Sequence, residues 1–243
     1  MQLFLIYSIM KNFSSHRAPE KRGGKLVLTF FLVLTLAICA LLFSSCNREV
    51  DYYDFVSELR SNLFLFDGED YSIRVQDVEK EYPYVSDGYI SEMTHKTEIF
   101  VLAPSGTTHC NIYFHCNGKT YGGEASFDSV KREYYYSCNA DISEAPSLPV
   151  RVQFGENSHE ITLPSVKTQS TLSAPDALQK LVEAETELFS SLTDGGDFLG
   201  EIYIRLLYED APYYYIGVVN RNGTSAAFLL DATTGKVLAK RTT

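Results

Sequence analysis

Between Thr108 and Cys116 the chain reads THCNIYFHC, two His-Cys pairs in nine residues. Thiolate and imidazole are the usual ligands of structural zinc, and thiols at close spacing are also the material of redox centres. Whether they can act together depends on the backbone that carries them. The segment runs into Asn117-Gly118 and then KTYGGEASF, the pattern of a β-hairpin arm. Side chains alternate along a strand, so Cys110, Ile112, Phe114 and Cys116 share one face, while His109, Asn111, Tyr113 and His115 share the other. Cys110 and Cys116 are then about 20 Å apart along the strand. Four ligands split across a sheet and spread over that length cannot converge on one ion. No metal and no other cofactor is expected; two buried cysteines and two wetter histidines are.

The remaining motifs carry little chemistry. Gly235-Lys236 has Leu230 where a phosphate-binding loop needs glycine, and Asp67-Gly-Glu-Asp70 lacks the alternating acids of a calcium loop. Glu183, Glu185 and Glu187 spread around a helix and read as a solvated face. Asn222-Gly223-Thr224 matches a glycosylation sequon, but a hairpin turn explains it. His95, His109, His115 and His159 stand in no nucleophile-base pattern, so an enzyme is not expected. Three cysteines (110, 116 and 138) lie beyond the N-terminal region. An odd number leaves one thiol free, and a Cys138 bridge to either of the others stays open. The chain has 17 tyrosines and no tryptophan. Tyr134-Tyr-Tyr136 and Tyr213-Tyr-Tyr215 lie in strand-like runs, so each must place rings on both faces. The outward rings serve either a binding surface, where tyrosine is favoured, or packing between domains.

The N-terminus is built for export. Leu26 to Phe43 is an uncharged run of 18 residues preceded by Lys11, Arg17, Lys21, Arg22 and Lys25 against the single acid Glu20. Residues 42 to 46, LFSSC, resemble a bacterial lipobox, with Phe43 in place of the usual aliphatic residue. The resemblance implies that Cys46 is lipidated on sulfur and becomes the mature N-terminus. An uncleaved anchor is the alternative. Either way, the chain beyond residue 46 faces the outside of the cytoplasm at the cell membrane. Residues 1–45 hold five of the 21 basic and one of the 31 acidic residues, which leaves 16 against 30 and a net charge of about −14. Such a surface repels phosphate backbones, so nucleic acid is not expected as a partner.

The exported part divides at a polar stretch. Asp51 to Leu65 has apolar residues at 52, 55, 56, 59 and 63, a helical spacing, and short β-rich runs continue to residue 164. The expectation is an α+β chain: signal peptide and lipobox (1–46), a short helix and an all-β, sandwich-like domain (47–164), a linker (165–172), and an α+β unit (173–243). In that unit Ser173-Ala-Pro-Asp176 forms a capping box ahead of an apolar stripe from Ala177 to Leu192. Four strand-like runs then form an antiparallel meander.

The opening Ser-Ala-Pro-Asp-Ala, the run YYYIGVV, the Asn-Gly turn and AAFLLDATTGKVL resemble the PepSY domain over about residues 172 to 243. Asp231, Thr234, Gly235 and Lys236 carry the most specific match. The family has no catalytic residues; the resemblance implies a binding or inhibitory module whose partner is a peptidase or a peptide. Tyr213, Tyr214, Tyr215, Asp231 and Lys236 are the candidate binding surface. The expected function is that of a membrane-anchored, non-catalytic protein- or peptide-binding lipoprotein modulating a peptidase. The alternative is a solute- or cell-wall-binding lipoprotein associated with a transporter.

Overall fold

The computed structural model describes residues 50–83, 88–223 and 225–242. Cys46 and the export segment lie outside the described residues. A 3-10 turn (Tyr52–Phe55) leads into β1 (Val56–Asp67), β2 (Ser72–Glu81), β3 (Met93–Leu102), β4 (Cys110–Cys116), β5 (Lys119–Glu124), β6 (Ser126–Asp128), β7 (Glu133–Cys138), β8 (Ser147–Phe154) and β9 (Asn157–Pro164). Helices α1 (Ala174–Ala184) and α2 (Thr186–Ser191) come next. The two-residue strands β10 (Thr193–Asp194) and β11 (Asp197–Phe198) precede β12 (Gly200–Tyr208), β13 (Pro212–Asn220), β14 (Ser225–Asp231) and β15 (Val237–Thr242).

Strands make up 56% of the described residues and helices 11%, so the fold is mostly β and the expected α+β class is corrected. The meander β12–β15 is not a sheet of its own. Its first strand pairs in parallel with β1, giving one nine-stranded sheet in the order β15-β14-β13-β12-β1-β2-β3-β7-β6. The sheet therefore runs on past residues 165–172, which are tied to it. Val166 donates its N–H to Leu63, and Tyr214 donates its hydroxyl to the Leu172 carbonyl. Val50–Thr243 forms one compact unit.

The helix expected over 51–65 is strand β1. Two residues, Ser57 and Ser61, fall where its register with β12 and with β2 slips. Each bulge inserts one residue into the period of two. Val56 and Leu59 consequently share a face although three residues apart, and the stepping imitates a helix.

Both covering layers lie on one face of the long sheet. Over β12–β14, α1 and α2 bury Ala177, Leu178, Leu181 and Phe189 against Ile202, Ile204, Ile216 and Phe228. Over β1, β2, β3 and β7, a four-stranded sheet (β5-β4-β8-β9) buries Ile112, Phe114, Val150 and Val152 against Phe64, Val75, Ile99 and Val101. The helix begins at Ser173, whose hydroxyl oxygen accepts the Asp176 N–H at 3.2 Å. It breaks at Glu185 rather than running to Leu192 as expected. There Thr186 turns its hydroxyl back onto the Val182 and Glu183 carbonyls, both at 3.1 Å, and α2 resumes at a new angle that seats Phe189.

Truncating Leu181, fully buried beneath α1, to alanine is expected to cost about 2–5 kcal/mol in chemical denaturation. The exposed Glu187→Ala should stay within about 0.5 kcal/mol. Equal effects of the two would place the helix face elsewhere.

Candidate functional site

Strand β4 buries Cys110, Ile112, Phe114 and Cys116 and leaves Asn111, Tyr113 and His115 outside. His109 sits just before it, with Nδ1 2.8 Å from Glu124, and His115 Nδ1 lies 3.3 Å from the Thr120 hydroxyl. Cys110, Cys116 and Cys138 are free. Burial pushes the Cys110 thiol up to about 11, so it stays protonated and unreactive at neutral pH. This strand brings no ligand set together.

The tyrosine runs divide between faces. Tyr134 and Tyr214 enter the two cores. Tyr214 is 1% exposed, and burial raises its hydroxyl to about 12. It is therefore removed from the candidate binding surface, because a partner cannot reach it. Tyr213 turns outward and donates its hydroxyl to Asp210 at 2.6 Å. The Tyr215 ring lies 5.8 Å from that of Tyr203. Tyr203 lies flat across β13 because Gly217 has no side chain; a Cβ there would overlap the ring. Asp231 is occupied by its own turn, where Oδ1 accepts the Thr233 N–H at 2.9 Å, the Thr234 N–H at 2.7 Å and the Thr234 hydroxyl at 2.9 Å. These bonds, with Lys236 nearby, hold its carboxyl below the usual range. The exposed Lys236 stands at the end of the same turn.

Among the described residues no helix or second sheet packs on the other face of the long sheet, and the outward tyrosines belong to it. Its centre is a charged row that sequence spacing does not announce, since β1 and β12 meet from 145 residues apart. Arg205 grips Glu58 with a fork, Nε to Oε1 at 2.9 Å and Nη2 to Oε2 at 2.6 Å, and Arg60 adds a bond at 2.6 Å. Burial pushes the Glu58 carboxyl up, but the guanidinium bonds of Arg205 and Arg60 outweigh it and hold the group below its ordinary value. Arg60 continues to Gln76 at 2.7 Å, and Glu98 accepts from Lys80 and from the Tyr135 hydroxyl, both at 3.2 Å. Towards the β6–β7 edge the face sinks into a concavity of about 470 Å³. Its aromatic floor is Phe100, with Arg74 4.5 Å and Lys131 5.6 Å from the ring centre. Phe127 borders it through β6, but its ring turns to the covered side and lies 5.0 Å from that of Tyr134.

On the covered face, a cleft of about 370 Å³ opens between the start of α1 and the β7–β8 loop. Strands β1, β2 and β3 and the β7–β8 loop place polar groups in it. Asp77 of β2 is 3% exposed at its side chain, and its Oδ1 lies 2.8 Å from His95 Nε2 of β3. Oδ2 of Asp77 accepts the Ser61 hydroxyl at 2.6 Å, an arrangement that the β1 bulge makes available. The loop between β7 and β8 supplies Asp141, whose Oδ1 accepts the hydroxyl of Ser143 at 2.7 Å and its N–H at 3.1 Å. Those two bonds, with His95 nearby, keep the Asp141 carboxyl low. One donor atom from each of Asp77, His95 and Asp141 falls within 4.8 Å of the others. Glu79 and Glu144 also line the cleft. This is not a nucleophile-base relay: Ser61 and His95 both address the same carboxylate, so the imidazole does not face the hydroxyl. None of these residues was a candidate from the sequence, because nothing local links positions 61, 77, 95 and 141.

Compared with protein-family models, curated proteins and solved structures, the chain finds no match in any of the three. Among the described residues no helix is long and apolar enough to cross a membrane.

The charged row and the cysteine strand are each open to a direct check. A group whose folded value is lowered stabilises the fold above its unfolded value and loses that contribution as pH falls through the folded one. Glu58→Gln should therefore cost about 1–3 kcal/mol at neutral pH. The gap to the wild type should close as acid takes the solution below the ordinary carboxyl value of 4.5. A gap independent of pH would mean that the charge of Glu58 is immaterial. Separately, His115→Ala should leave any metal content of the purified chain unchanged by elemental analysis.

Proposed function

We propose that this chain is a lipid-anchored, extracytoplasmic lipoprotein acting as a non-catalytic protein- or peptide-binding module, with a peptidase as the partner to be modulated. The observation that supports this reading best is the second face of the nine-stranded sheet. One face is covered, and the other presents half-buried aromatic rings, a braced charge row and a concavity floored by Phe100. Aromatic and arginine side chains concentrate at interfaces because they give large contact area with few torsions to freeze. Tyr203, Tyr215, Phe100, Arg60, Arg74 and Arg205 have that character, and their mutual bonds fix them before a partner arrives.

The concavity carries four basic against three acidic groups in an acidic whole. Arg60, Arg74, Lys80 and Lys131 line the concavity with Asp128, Glu98 and Glu133, while the chain carries a formal charge of −10. A segment presenting an aromatic or aliphatic anchor beside carboxylates fits it. The PepSY resemblance of residues 172–243 and the lipobox at Cys46 support the assignment of class and place. The braced salt bridges support a role in binding.

The anchor is tested by labelling cells with a fatty-acid analogue: label on the wild type and none on Cys46→Ala is expected, and label that survives the substitution rejects lipidation at that residue. The surface is tested by capture of envelope proteins on the full chain. Phe100→Ala and Tyr215→Ala should lose at least tenfold of the captured partner, while Glu187→Ala retains it. Equal capture by all three moves the binding surface away from this face.

A further inference from the structure

We infer that the cleft between the start of α1 and the β7–β8 loop is a binding site for one divalent transition ion, held by His95 Nε2 and one carboxylate oxygen each from Asp77 and Asp141. The three donors come from β2, β3 and the β7–β8 loop, and the fold alone brings them within 4.8 Å of one another. Ligands at about 2.0–2.2 Å from a tetrahedral ion lie about 3.3–3.6 Å apart. The 2.8 Å pair of His95 and Asp77 needs to open by only a fraction of an ångström to admit one.

Charge points the same way. Asp77 is almost wholly buried, and a buried carboxylate is costly unless its charge is met. Asp141, Glu79 and Glu144 add three more carboxylates to the same cleft, against His95 and Lys167. Lys167 is already engaged, with Nζ 3.2 Å from the Ser143 carbonyl and 3.4 Å from Glu144. A dication between Asp77 and Asp141 would relieve this excess where it is most deeply buried.

The ligands are also held from behind, as metal ligands characteristically are. Ser61 fixes the far oxygen of Asp77, and Ser143 fixes one oxygen of Asp141 by two bonds, leaving the other outside that pair. His95 is one-third exposed and Asp141 is exposed, so an ion has a path in and water can complete its shell. One imidazole with two carboxylates suits zinc or manganese; calcium and magnesium favour oxygen donors alone. The expectation of no metal rested on the cysteine strand. The three residues proposed here lie elsewhere, and the inference is independent of the binding face on the other side of the sheet.

The test uses the full chain in detergent, stripped with chelator and titrated calorimetrically with zinc, manganese and calcium chlorides. One equivalent of zinc or manganese should bind, at least tenfold more tightly than calcium. Asp141→Asn and His95→Ala should each weaken it by at least tenfold, and Ser61→Ala by about tenfold. Asp141 is exposed, so an unchanged apo melting curve of Asp141→Asn separates lost ligation from lost fold. The wild-type melting temperature should rise with ion concentration, and that of Asp141→Asn should not. Absence of saturable binding up to millimolar ion, equal affinity in the three variants, or a preference for calcium would each overturn the site.

Discussion

Asn62 is the joint on which the arrangement turns. It is 1% exposed on β1, immediately after the bulge at Ser61. Its amide nitrogen lies 3.0 Å from the Ile142 carbonyl and 3.1 Å from those of Ser143 and Ala145, while its oxygen accepts the Ser165 hydroxyl at 2.6 Å and the Leu63 N–H at 2.9 Å. One buried side chain thus fixes the loop that carries Asp141, the exit of β9 and the strand shared by both halves of the sheet. Buried polar groups left without such partners would each cost on the order of 1–3 kcal/mol, so the loop has little freedom to settle elsewhere.

The bulge has consequences beyond that joint. By inserting one residue, it turns Ser61 and Asn62 towards the covered face, where an unbroken strand would have turned only one of them. Ser61 then meets Asp77, and Asn62 meets the loop. Thr97 ties the same loop from β3, donating its hydroxyl to the Ala140 carbonyl at 2.7 Å. The cleft lies on the covered face between the start of α1 and the β7–β8 loop and is filled with polar groups. The far side of the sheet solves a different problem: with no helix or second sheet over it among the described residues, its own residues cover one another. Arginine stems and tyrosine rings lie across the strands, so Val78 is fully buried beneath polar neighbours.

Some of this was legible in the sequence because it rests on local physics. Alternation in CNIYFHC placed Cys110 and Cys116 inside and His115 outside, and Ser-Ala-Pro-Asp announced the cap at Ser173. The tyrosine triplets had to straddle a sheet, and they do. What the sequence concealed is long-range or irregular. Two bulges gave β1 the stride of a helix. The parallel pairing of β1 with β12 joined segments that read as separate domains, and with it the fold class changed from α+β to mostly β. Asp77, His95 and Asp141 come from three segments whose meeting depends on Asn62, so no spacing could reveal them. Tyr214 was misplaced because a triplet says that faces alternate but not which ring is inward.

Hydrogen exchange of the full chain, wild type against Asn62→Ala, tests that dependence most directly. Amides of residues 140–145, among them Ile142 bonded to Asp77 at 3.3 Å, should lose protection in the variant, while those of β2 and β3 keep theirs. Unchanged protection of the loop, or a uniform loss through the whole sheet, would contradict the claim that this one side chain sets the loop in place.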